Sequence, residues 1–152
     1  MAGDSQINGP YTLPKEFRKV RLIKGALIGC SGRTAQAELF FKWWADRCPV
    51  DAEPKVDDNF EALVVFDGRV WAYDIEMLPI DTGVPAATGS GMRFAMGAMM
   101  AGASPKEAVE IAMKLDPETG GRIRVIGALK TASSKIAPPV GRNYLYLVFL
   151  KH

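Results

Sequence analysis

The sequence predicts an α+β protein in which antiparallel sheets carry helices on their faces. Three observations lead there. Residues 19–29 and 62–73 each read as two strands joined by a glycine turn. Stretches of helical periodicity separate and follow these pairs. The full order is strand pair, helix, strand pair, helix pair, strand.

Residues 1–16 are polar and turn-rich, with Asn8-Gly9-Pro10 and Pro14 as breakers. Lys19 to Ile23 alternates charged and apolar residues, as a half-buried strand does. Lys24-Gly25 turns the chain, and Ala26 to Gly29 resumes a strand that ends in Gly29-Cys30-Ser31-Gly32. A helix is expected over 35–47, with Thr34 as N-cap and Leu39, Phe40, Trp43 and Trp44 at helical spacing; Pro49 stops it. Residues 49–60 form a loop with two prolines and four acids. Asp67-Gly68 joins the next strand pair, because a tight hairpin turn needs positive φ at both central residues. Residues 75–85 read as irregular, and Ala86 to Thr88 as a short strand entering Gly89-Ser90-Gly91. A small-residue helix follows from Met92 to Ala101. Ser104, Pro105 and Glu107 then spell a capping box with the favoured first-turn proline. Asp116-Pro117 and Gly120-Gly121 stop that helix, and Arg122 to Ile126 alternates as a strand. Residues 127–143 look like a linker, and Tyr144 to Leu150 is strand-prone. We therefore expect a domain over 1–126 and a linker plus strand-prone tail over 127–152.

Composition excludes several classes. Lys+Arg 19 against Asp+Glu 17 gives a net charge of +2 in 152 residues, with no field suited to nucleic acid or an anionic membrane. No apolar run approaches the ~20 residues that span a bilayer. The first ten residues lack the charged and apolar regions of a signal peptide. Cys30 and Cys48 form no metal or disulfide pattern, and the lone His152 closes the chain, so no metal or cofactor is expected. A reducing cytoplasm fits these features.

Individual motifs stay open. Gly29 to Gly32 could seat a phosphate, pack a helix closely, or aim a backbone N–H at an oxyanion. Arg33-Thr34 departs from the Lys-Ser/Thr pair of a P-loop. Ser90 is a helix N-cap or an accessory hydroxyl; a serine triad lacks its histidine. The methionines at 92, 96, 99 and 100 favour a packed helix over a soft-metal surface. Asp4 and Lys19 taken singly read as surface groups.

Read together, three stretches resemble the proteasome β-subunit and HslV peptidase family. Ala2-Gly3-Asp4-Ser5-Gln6 is similar to that family's A-G-D-x-Q/R segment at the end of its second strand. Lys19-Val20-Arg21, followed by Gly29 and a glycine-to-helix junction, resembles its K-V-R stretch and first-helix turn. Ala87-Thr88-Gly89-Ser90-Gly91 and the helix pair after it resemble its A-x-G-S-G element. The likeness covers residues 1 to about 126. It extends to short HslV-like proteins of phage and prophage genomes, which carry a segment similar to Leu115 to Gly121.

The resemblance implies a four-layer αββα sandwich of the N-terminal-nucleophile hydrolase type, here lacking the first strand. It implies threonine-type endopeptidase activity on peptide or protein substrates, in a homo-oligomeric ring with an ATP-dependent unfoldase as possible partner. It gives Asp4 as the carboxylate orienting Lys19, Lys19 as the ammonium that activates the nucleophile, Gly29 as the oxyanion amide, and Ser90 as the accessory hydroxyl. Two departures stand out. Only Met1 to Gly3 precede Asp4, so the family's N-terminal threonine strand is missing and the chain is expected to be inactive. The family often has an Asp in the glycine turn before its late strand, where this sequence reads Gly120-Gly121-Arg122. Tyr144 to Leu150 is a candidate to cover the vacant sheet edge. A non-catalytic assembly protein of the same fold, and an unrelated domain binding an anion at Gly89 to Gly91, are the alternatives.

Overall fold

The computed structural model describes residues 1–4 and 17–126, together with the backbone of 147–149. In chain order the elements are β1 (Ala2–Gly3), β2 (Val20–Ile23), β3 (Ala26–Ser31), α1 (Thr34–Ala45), β4 (Glu61–Phe66), β5 (Arg69–Tyr73), β6 (Ile80–Asp81), β7 (Ala86–Thr88), α2 (Met92–Met100), α3 (Pro105–Leu115), β8 (Arg124–Val125) and β9 (Leu147–Phe149). They make two sheets, ordered β2-β3-β4-β5-β6 and β7-β9-β1-β8.

The five-stranded sheet is antiparallel throughout and grows from its turns. Ile23 pairs with Ala26 and Phe66 with Arg69, which leaves two-residue loops. Lys24, Gly25, Asp67 and Gly68 all have positive φ, the geometry whose twist matches the flanking strands. Side chains then alternate between two cores. Ala26, Ile28 and Cys30 of β3 and Ala62 and Val64 of β4 face α1. Leu27, Leu63 and Val65 face the other way, where Met1 and Ala86 of the second sheet meet them. Phe40 centres the α1 side, its ring 5.2 Å from Tyr73, 5.5 Å from Phe60 and 5.6 Å from Trp43. Burying such a ring contributes about 2–3 kcal/mol, and each aromatic contact adds roughly 0.5–1.5.

The four-stranded sheet is mixed and built from distant pieces. Ala2 pairs antiparallel with Val125 and parallel with Val148. Thr88 pairs parallel with Phe149. Helices α2 and α3 cover this sheet with small residues: Ala95, Ala98, Ala108 and Ala112 enclose Ala2, alongside Met99 and Val109. Ser104 accepts from the Glu107 amide while the Glu107 carboxylate accepts from the Ser104 amide, so the expected capping box is present.

Several expectations shift. Arg33 is the N-cap of α1, and Thr34 is its first helical residue. Residues 75–85 include the short strand β6, paired with β5. Met100 is exposed, while Met99 is buried. The strand expected over 144–150 is seen at Leu147–Phe149, inside its sheet and not on an edge; the rest of the tail and the linker lie outside the described residues.

Candidate active site

Strand ends of both sheets bring the site together. Asp4 follows β1 in one sheet, and Lys19 precedes β2 in the other. Lys19 Nζ donates to Asp4 Oδ1 at 2.5 Å, and the two side chains are 7% and 0% exposed. Asp4 Oδ2 accepts the Gly120 N–H at 3.0 Å. Two charges this deeply buried persist because each satisfies the other. The surface role that each would have alone does not apply. A fixed, desolvated ammonium stabilises a developing alkoxide beside it far better than one in water.

Gly29 lies within β3, opposite Val20 on one side and Leu63 on the other. The next residue, Cys30, donates its amide to the Lys19 carbonyl at 3.1 Å. Strand alternation therefore turns the Gly29 peptide toward β4, into the ladder. Gly32 stands beyond the last β3–β4 pair, Ser31 with Glu61. Its φ is +92°, and a Cβ there would come within 2.7 Å of the Asn59 carbonyl oxygen. Only glycine fits both demands.

Ser90 does not cap α2; Gly91 holds that position. Its hydroxyl donates to Asp116 Oδ2 at 2.6 Å, and the Thr119 hydroxyl donates to the same oxygen at 2.6 Å. Asp116 Oδ1 accepts the Glu118 amide at 3.1 Å. From sequence, Asp116 is legible only as a helix stop, and the family's comparable Asp falls in the glycine turn, where this chain has Gly120-Gly121. An Asp followed by Pro, a polar residue and Thr is also a side-chain-braced turn, and that signal was available. The turn places Thr119 on Asp116 and Gly120 on Asp4, so a continuous run of contacts links Lys19 to Ser90.

A second polar cluster lies nearby. Thr88, two residues before Ser90, donates to the Glu61 carboxylate, and its hydroxyl is 2.9 Å from Ser31 Oγ. Glu61 and Thr88 border a cavity of about 280 Å³ walled by Leu63, Ala86, Met92 and Met96. Burial pushes the Cys30 thiol well above its ordinary value, so it supplies no thiolate. Among the described residues no group of three or more His, Cys, Asp or Glu is placed to hold a metal ion. None of their helices is long and apolar enough to cross a membrane.

Fold and site thus define a two-sheet protein of mixed α/β class, with an ion pair and a hydroxyl–carboxylate pair where its strand ends meet. Solved structures narrow the class. The chain is similar to eukaryotic HslV from Trypanosoma brucei, with TM-score 0.54 and 23% identity. It is similar to Thiobacillus denitrificans BPH in complex with epoxomicin, with TM-score 0.63 and 13% identity. BPH in a second structure gives TM-score 0.60 and 15% identity. Each comparison covers 81% of this chain and 88% of the other. What is shared at these identities is the fold, which is of the proteasome/HslV type. No family model and no curated protein matches the sequence.

Proposed function

We propose that this chain is a subunit of a proteasome/HslV-like threonine peptidase, with the four-layer αββα architecture of that group. The observation that supports the reading is the buried Asp4–Lys19 pair, on a fold shared with HslV. In this reading Lys19 stabilises the alkoxide of an N-terminal threonine, whose own amine acts as base. Asp4 holds Lys19, and Asp116 with Thr119 orients Ser90 toward that amine. Gly29 is the oxyanion glycine by sequence resemblance. The substrate is a peptide or protein, the assembly a homo-oligomeric ring, the setting cytoplasmic, and an ATP-driven unfoldase a partner. Kinship with phage HslV-like proteins belongs to the same proposal.

No threonine lies among Met1 to Asp4. The chain by itself is therefore expected to cleave nothing, and a chain extended upstream by a strand with an exposed threonine is expected to cleave fluorogenic peptides. Epoxomicin, which is bound to BPH, is a direct probe of the extended form. Cleavage that survives Lys19→Ala in the extended chain would count against the assigned mechanism.

One observation favours a second reading, a non-catalytic assembly protein. The position between β7 and β1 is occupied by β9, from the tail of this chain. Among the described residues, a strand added to this sheet would have only the outer edges of β7 and β8 to pair with. An extended chain that folds, exposes its threonine and still neither cleaves peptide nor binds epoxomicin favours this second reading.

A further inference from the structure

A groove of about 750 Å³ runs between β2, α1 and β8. Its floor is apolar, with Val20, Ile23 and Phe41, and Arg18, Lys42 and Arg124 stand at it. The other cation of the groove, Arg21, is held by Glu38 and lies over the Phe41 ring at 4.2 Å. Among the described residues, Arg18, Lys42 and Arg124 have no carboxylate within ion-pair distance. The same chain carries the complementary shape and charge. After α1 a 3₁₀ turn, Val50–Ala52, projects Val50 with 90% of its surface exposed. Asp51 and Glu53 flank it, both exposed and likewise without an ion-pair partner among the described residues. Lys55 is the only base in the loop from Asp51 to Asp58, which also holds Asp57 and Asp58.

The groove and the residue that holds the knob segment lie on different faces of α1. Glu38, Lys42 and Ala45 line the groove, and Trp43 binds the knob segment through its Nε1–H to the Pro49 carbonyl at 3.0 Å. At 3.6 residues per turn, Trp43 points roughly 150° away from the centre of the groove face. Val50 is 90% exposed, and among the described residues Asp51 and Glu53 form no ion pair with the groove cations, so groove and knob do not meet within one chain. They can meet head to tail between copies, and such heterologous contacts close into rings or run on as filaments.

We infer that the acidic turn Val50–Glu53 of one copy seats in the basic groove of the next, Val50 against the apolar floor and Asp51 and Glu53 against Lys42 and Arg124. The inference deepens the ring assembly proposed above and rests on it.

Two surface variants test it by light-scattering mass: Lys42→Glu/Arg124→Glu in the groove, and Asp51→Lys/Glu53→Lys in the knob. All four positions are exposed, so circular dichroism should be unchanged. The unaltered full chain is expected to elute as a multiple of 16.5 kDa. Each variant alone should fall to 16.5 kDa, and an equimolar mixture should recover the assembly, since each reversed groove then faces a reversed knob. High salt should weaken the unaltered assembly. An assembly indifferent to both reversals overturns this interface and leaves the ring reading standing. A chain that is monomeric at every concentration overturns both.

Discussion

The two sheets are built by opposite routes. In the five-stranded sheet the strand pairs β2-β3 and β4-β5 are two-residue hairpins, and their cores alternate residue by residue. In the four-stranded sheet no strand exceeds three residues among the described ones, and Ala2 takes Val125 and Val148 as partners. Local chemistry is enough to nucleate the first. The second exists only once α2 and α3 supply a surface and the chain returns from far away, which carries a larger loop-closure cost. The chemistry follows the second route: Asp4, Ser90, Asp116 and Gly120 all flank strands or helices of the four-stranded side, and Lys19 reaches across from the other.

The largest expected effect comes from breaking the weaker sheet. Deleting residues 140–152 removes β9 and opens backbone edges on both β1 and β7. Such edges recruit other chains, so aggregation is expected by light scattering. A deletion variant that stays soluble and as stable as the full chain would show that β9 is dispensable.

Next come two single substitutions, one on each side. Lys19→Met strands a buried carboxylate and should cost about 3–5 kcal/mol in urea unfolding. Adding Asp4→Leu should recover much of that loss, because two apolar groups need no pairing. Phe40→Ala opens the aromatic core behind the five-stranded sheet and should also cost about 3–5 kcal/mol. Hydrogen exchange separates the two: protection should fall first in the four-stranded sheet for Lys19→Met and in the β4-β5 hairpin for Phe40→Ala. Equal loss everywhere in both would erase the distinction between the sheets.

Smaller effects sharpen it. Ser104→Ala removes one half of the α3 cap and should cost about 1 kcal/mol. Burial raises the Tyr73 phenol from 10.0 to about 12. The folded state therefore holds the neutral phenol while the unfolded chain ionises. The associated stability is present below pH 10 and is lost as pH rises from 10 toward 12. A phenolate absorbance titration, read as the difference from Tyr73→Phe, checks this; ordinary titration near 10 would contradict the burial.

The legible parts of the sequence were the local ones. Asp67-Gly68 placed a hairpin because both residues must turn left-handed, and both do. Ser104-Pro105-Lys106-Glu107 placed a helix start to the residue. Asp4 and Lys19 were legible as a pair only through family resemblance, since nothing in their spacing indicates contact. Asp116 was passed over because a helix-stopping Asp and a hydroxyl-orienting Asp look alike until Ser90 is folded against it. That Gly29 lies inside the β3–β4 ladder and Gly32 past its last pair was also invisible. It depends on which amides the β3 ladder consumes, and that is a property of neighbours on both sides.

The sequence alone determined the hairpin turns, the capping box of α3 and the alternation that assigns each strand residue to a face, because these depend on residues a few positions apart. Only the tertiary structure decided that Asp4 and Lys19 share a buried contact, that Ser90 answers to Asp116, and that residues 147–149 lie between β7 and β1. Those arrangements join segments far apart in the chain. Their stability comes from desolvated charge and matched backbone edges, which exist only when the distant pieces have already met.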